Sequence, residues 1–189
     1  MSTETLVAII VPCVIVLLLI GVGLWAVSRR RHLKHRFGPE YERTVEEAGG
    51  RLPADRELRS RERRHDSLQI RELPPDLRQQ YAEDWSRVQE RFVDRPESAV
   101  SEADSLVSRL MRERGYPTEG YEQQLQDLSV EHGRTLEHYR DAHDVLARRG
   151  GHATTEELRG AMVHYRALFD ELLAAPSGAG SGGSRTEET

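Results

Sequence analysis

The most conspicuous pattern along the chain is a stretch with no polarity. From Leu6 to Val27 it reads LVAIIVPCVIVLLLIGVGLWAV, without a charge. A helix of about 20 apolar residues matches the hydrocarbon thickness of a bilayer and satisfies its own backbone polar groups there. Residues 6–27 therefore predict a transmembrane helix. Pro12 and the Gly21/Gly23 pair weaken a helix less in lipid than in water. Trp25 falls where an interfacial aromatic ring is favoured.

After this run the apolar residues recur at helical spacing. Pro39 opens a short segment that Gly49-Gly50 closes, the usual arrangement of proline at a helix start and glycine past its end. Residues 53–67 are mostly charged, with only Ala54, Leu58 and Leu68 as a thin stripe, and predict a solvated helix near the membrane. Pro74-Pro75 begins a clearer pattern: Leu77, Tyr81, Trp85, Val88 and Phe92 share one helix face. Pro96 begins the next, with Ala99, Val100, Ala103, Leu106, Val107, Leu110 and Met111, ended by Gly115 and Pro117. A third pattern runs from Tyr121 to Arg149 through Leu125, Leu128, Leu136, Tyr139 and Leu146, with Gly133 placed to kink or divide it. Thr154 and Glu157 form a capping-box signature before Leu158, Met162, Tyr165, Phe169 and Leu172. Leu68–Leu73 is the only short strand candidate.

The fold class expected is thus all-α: one N-terminal transmembrane helix followed by a helical-bundle cytoplasmic domain. The boundaries are 1–5 for a short extracytoplasmic N-terminus, 6–27 for the membrane helix and 28–73 for a basic and charged juxtamembrane helical linker. Residues 74–174 form the bundle, expected to be antiparallel because its loops are short. Residues 175–189 form a Gly/Ser-rich tail that is expected to be disordered, since it cannot bury enough surface to offset its ordering entropy.

Charge sets the direction. Only Glu4 flanks the apolar run on its N-terminal side, whereas Arg29, Arg30, Arg31, Lys34 and Arg36 follow it. Basic residues stay on the cytoplasmic side, so the N-terminus faces out. The same five cations are candidates for anionic lipid head groups, at roughly 1 kcal/mol per charge near the surface. The competing expectation is export after cleavage at Ala26-Val27-Ser28, which the missing basic n-region and the arginines that follow argue against.

Composition narrows the chemistry. The single cysteine, Cys13, lies inside the apolar run, which excludes a disulfide framework, a thiolate metal site and a cysteine nucleophile. Lys34 is the only lysine and asparagine is absent, so the arginine excess reads as genome composition and not as phosphate recognition. Nucleic acid binding is not expected from a bundle that is acidic and lacks a basic face. No phosphate loop, zinc-protease pattern or nucleophile elbow is present. His132, His138 and His143 are spaced six and five apart, which points them in different directions on a helix; only His138 and Asp141 share a face. The one Glu-x-x-His match, Glu62 to His65, lies in the charged linker. No catalytic, cofactor-binding or metal residue is assigned, and no cofactor is expected.

The strings HRFGPEYERTV (35–45), RFVDRPESAVSEADSLV (91–107), MRERGYP (111–117) and EHYRDAH (137–143) resemble an uncharacterised family of single-pass bacterial membrane proteins of actinobacterial type. The resemblance extends over about residues 5–174 and implies topology but no activity. The function expected is a non-catalytic interaction or adaptor module at the inner face of the cell membrane, with an unknown protein partner. The alternative is a ligand-binding or enzymatic domain whose site is assembled only in three dimensions, with Arg78, Arg112, His138 or Tyr139 converging.

Overall fold

The structure is a computed structural model that describes residues 3–148 and 153–174, without the side chains of residues 3–13, 15 and 26. Among the described residues it is all-helical, with eight helices and no strand: α1 (Thr3–Phe37), α2 (Pro39–Glu47), α3 (Arg51–Asp66), α4 (Pro75–Asp94), α5 (Pro96–Arg114), α6 (Tyr121–His132), α7 (Leu136–Ala147) and α8 (Thr155–Leu173). The strand candidate at 68–73 forms no strand and is irregular chain, tied down by the Arg71 amide donating to the Arg114 carbonyl at 3.0 Å.

The transmembrane expectation for residues 6–27 is not carried by these helices: among the described residues none is long and apolar enough to cross a membrane. About half of that run, residues 6–13, 15 and 26, has side chains outside the described ones. The tail at 175–189 and the Gly150-Gly151 terminator also lie outside the described residues.

The chain divides into two compact units. Met1–His65 and Leu128–Arg134 form the first, and Asp66–Asp127 and Thr135–Thr189 form the second.

In the first unit, Leu33, Phe37, Tyr41, Leu58 and Val130 make a small apolar core, with Val45 packed against it. The helix α1 ends at Phe37 because Gly38 adopts φ +56° and Pro39 starts α2. Gly133 is required for packing: a Cβ there would meet the Phe37 carbonyl oxygen at 2.3 Å. Polar groups complete this core. Tyr41 donates to Asp55 at 3.0 Å, Arg30 pairs with Asp55 at 3.5 Å, and Arg61 pairs with Glu40 at 3.4 Å. The expectation of a solvated helix at 53–67 therefore needs correction. One face of α3 buries Ala54, Asp55, Leu58, Arg61 and His65. The apolar stripe is thin because paired charges occupy the rest of the buried face.

In the second unit α5 is central. It packs on α4 and on α8, and α8 packs on α7. The pairs Arg91–Glu102 and Asp84–Arg109 show α4 and α5 antiparallel; Thr135–Glu171 and Arg148–Glu157 show the same for α7 and α8. α5 and α8 run in the same direction, because Asp104 meets Tyr165 and, further along both, Arg114 meets Leu172. The bundle is therefore not antiparallel throughout: α6 and α7 intervene in sequence and bring α8 back in the sense of α5. All seven expected α5 positions and all five expected α8 positions are buried. The capping box forms, with the Thr154 hydroxyl accepting from the Glu157 amide at 3.2 Å and the Thr154 amide donating to the Glu157 carboxylate at 2.8 Å. The division at Gly133 also appears, with α6 ending at His132 and α7 starting at Leu136.

Two substitutions test this packing. Trp85 is buried on α4 with its ring stacked on Phe169 at 4.7 Å, so Trp85→Ala should destabilise the second unit by about 3–5 kcal/mol. An unchanged denaturation midpoint would place Trp85 on the surface. Gly115 closes α5 at φ +92°, and a Cβ on it would lie 2.4 Å from the Gln69 carbonyl oxygen. Left-handed backbone costs a side chain about 1–2 kcal/mol, and the clash adds about 1–3 kcal/mol. Gly115→Ala should therefore lower the urea midpoint of the second unit clearly, whereas the same change at Gly160, whose Cβ would meet open space, should not.

Candidate functional site

The α7–α8 seam of the second unit carries chemically capable side chains in two rows, one buried and one toward solvent. The inner row is a polar network inside the helix packing. Tyr165 on α8 donates its hydroxyl to Asp104 of α5 at 2.9 Å. Tyr139 on α7 packs edge-on against Tyr165, with ring centroids 6.0 Å apart, and its hydroxyl reaches Gln124 at 3.4 Å. His143, one turn further along α7, stacks on Tyr121 at 4.0 Å and places Nδ1 3.8 Å from Asp104.

Burial and the Asp104 charge both raise the phenol pKa values of Tyr139 and Tyr165 above the ordinary 10.0, burial being the larger cause; for Tyr165 the hydrogen bond to Asp104 adds to the shift. Both hydroxyls are therefore hydrogen-bond donors at neutral pH and not phenolate nucleophiles. That makes the inner row a means of fixing the register of α5, α7 and α8.

The outer row lies one residue away on each helix. His138 precedes Tyr139 and His164 precedes Tyr165, and with Asp141 they form a cluster whose potential ligand atoms all lie within 4.8 Å of one another. His164 Nδ1 stands 3.6 Å from Asp141, and the His138 and His164 rings meet edge to face at 4.8 Å. The i, i+3 relation of His138 and Asp141 is visible in the sequence. The third member comes from another helix, which spacing within one helix cannot find.

The remaining sequence candidates are dispersed. His132 is buried in the first unit. His65 lies 3.7 Å from Glu131, while Glu62 pairs with His32 at 3.0 Å and Arg36 at 3.5 Å, so Glu62 and His65 have different partners. Arg78 donates to the Leu73 carbonyl at 3.4 Å, Arg112 is exposed, His138 faces out and Tyr139 faces in. No hydrogen bond or ion pair among the described residues joins any two of these four. Two surface grooves, one along α1 and one between α4 and α5 lined by Asp84, Arg87, Arg91, Glu102 and Arg109, hold none of them.

The five basic residues after the apolar run are partly engaged within the first unit. Arg30 pairs with Asp55, Arg36 with Glu62 and Lys34 with Glu42, and the Arg29 guanidinium lies 4.9 Å over the Trp25 ring. Arg31 is exposed. Less positive charge is thus free for lipid head groups than a count of the sequence suggests.

Sequence reasoning missed Arg114. It is buried at the end of α5, and Nη1 donates to the carbonyls of Leu172 at 2.6 Å and Ala174 at 3.1 Å, which caps the C-terminus of α8. Its partners lie 58 and 60 positions away, beyond any local signal. No family model, curated protein or solved structure matches the chain.

The inner row predicts an alkaline transition. Unfolded phenols ionise near pH 10, whereas Tyr139 and Tyr165 keep their protons to higher pH in the fold. Their contribution to stability is complete below pH 10 and is lost as pH rises above it. Tyrosinate absorbance from these two residues should appear together with loss of helical circular dichroism. The Tyr139→Phe, Tyr165→Phe double variant should lose stability less steeply above pH 10. Full ionisation of all six tyrosines with helicity intact would contradict the burial described.

Proposed function

We propose that the chain is a single-pass membrane protein whose residues 6–27 cross the bilayer, with the N-terminus outside and the helical units on the cytoplasmic side. There it acts as a non-catalytic interaction module. The observation that carries this reading is the surface of α1. Val16, Leu17, Leu18, Leu19 and Ile20 are consecutive and all exposed, as are Val22, Leu24, Trp25 and Val27. Five consecutive residues pass through more than one helical turn, so the apolar surface surrounds α1. A helix apolar on every side needs a non-aqueous environment, and the run from Leu6 to Val27 has the length a bilayer requires.

The basic flank after Val27 supports the orientation. The resemblance to single-pass membrane proteins of actinobacterial type agrees with it. The non-catalytic part of the reading agrees with the inner row of the α7–α8 seam, where Tyr139 and Tyr165 are internal packing donors.

A reporter that works only in the cytoplasm, fused after Thr189, should be active, and the mature chain should retain its apolar segment. Activity of a reporter that needs the periplasm, or a mature N-terminus at Arg29, would overturn the topology. Crosslinking in native membranes should then yield a protein adduct that depends on the presence of residues 74–174; turnover of a small-molecule substrate by the purified chain would overturn the non-catalytic role.

A further inference from the structure

We propose that His138, Asp141 and His164 form a binding site for a divalent transition-metal ion of the zinc class, bridging α7 and α8. This is independent of the membrane topology. Zinc binds histidine nitrogens at about 2.0–2.1 Å and carboxylate oxygens at about 2.0–2.2 Å in tetrahedral geometry. Two ligands of one tetrahedral ion therefore stand about 3.3–3.5 Å apart, by that geometry. His164 Nδ1 and Asp141 Oδ2 are 3.6 Å apart, too far for a good hydrogen bond and close to the spacing of two such ligands. All three potential ligand atoms lie within 4.8 Å of one another, a gap that rotation of the exposed His138 and Asp141 side chains can close.

A second observation points to the same place. His164 Nδ1 is shielded from solvent and has no hydrogen-bond partner among the described residues. Buried polar atoms are ordinarily satisfied, and this one faces the Asp141 carboxylate across the gap in which an ion would sit. Two imidazoles and one carboxylate suit zinc, and three protein ligands leave a fourth position open to water. His138 and Asp141 come from one face of α7 and His164 from α8, so the ion would act as a clasp across the seam.

The test uses the untagged full-length chain in detergent, stripped with a chelator, dialysed against zinc chloride and then against zinc-free buffer. Mass spectrometry should find one zinc per chain, and zinc should raise the thermal midpoint. Cobalt(II) in place of zinc should give the visible absorption of a four-coordinate site. His164→Ala and Asp141→Asn, checked for native helicity by circular dichroism, should weaken zinc binding on the order of a hundredfold, since even indirect ligand partners are worth about 10–100-fold. Asp141 is well exposed, which makes its variant the safer for folding. Less than stoichiometric zinc in the native chain, or unchanged zinc in the two folded variants, would overturn the site.

Discussion

The second unit depends on α5 being buried on two sides at once. It packs on α4 and on α8, and a helix in that position needs an apolar face wider than a single stripe. Ala99, Val100, Ala103, Leu106, Val107, Leu110 and Met111 supply it, all fully buried. The same helix fixes α8 through polar contacts. Asp104 accepts from Tyr165 midway along α8, and Arg114 binds the last carbonyls of that helix. Two attachments at different heights set both the register and the direction of α8. That is why α5 and α8 can run parallel although the chain between them passes through two further helices.

The first unit solves a different problem with fewer apolar residues. Its apolar cluster among the described residues holds five buried side chains, and buried charged groups pack beside it. A charge taken out of water is costly unless paired and hydrogen-bonded. Asp55 meets that condition with Tyr41 and Arg30, and Arg61 meets it with Glu40 and Glu57. Such pairs contribute little net stability, but losing one partner leaves a buried charge exposed to its full desolvation cost. These pairs tie α1 to α3 through Arg30 and Asp55, and α2 to α3 through Tyr41 with Asp55 and Glu40 with Arg61. Gly133 belongs to the same solution, since only a residue without a Cβ lets the backbone approach the Phe37 carbonyl.

What was legible in the sequence follows from what apolar periodicity records. The stripes of α5 and α8, the capping box at Thr154, the terminator at Gly115 and the division at Gly133 are local, and local spacing or turn chemistry announces each of them. The buried face of α3 was not legible, because Asp55, Arg61 and His65 look like solvent-facing residues until their partners are known. Arg114 and Asp104 escaped for a related reason: their roles depend on residues 58 to 61 positions away. The same holds for the His/Asp cluster. Its α7 half shows as an i, i+3 pair, while His164 joins it only once α8 folds back along α7.

That return of α8 along α7 ties the outer row of the seam to the inner one. His138 and Tyr139 are adjacent in sequence, as are His164 and Tyr165, and neighbours on a helix point about 100° apart; the tyrosines are buried, while His138 is exposed and His164 half-buried. Any group that draws the two outer imidazoles together pulls on the same two helix segments whose inner phenols are held by Asp104 and Gln124. The inner phenols are buried and hydrogen-bonded. Of the outer side chains, His138 and Asp141 are exposed, whereas His164 is half-buried. Binding at the outer row would draw on rotation of the exposed His138 and Asp141 side chains toward His164. What it gains it adds to the α7–α8 packing, so its effect belongs to the stability of the second unit.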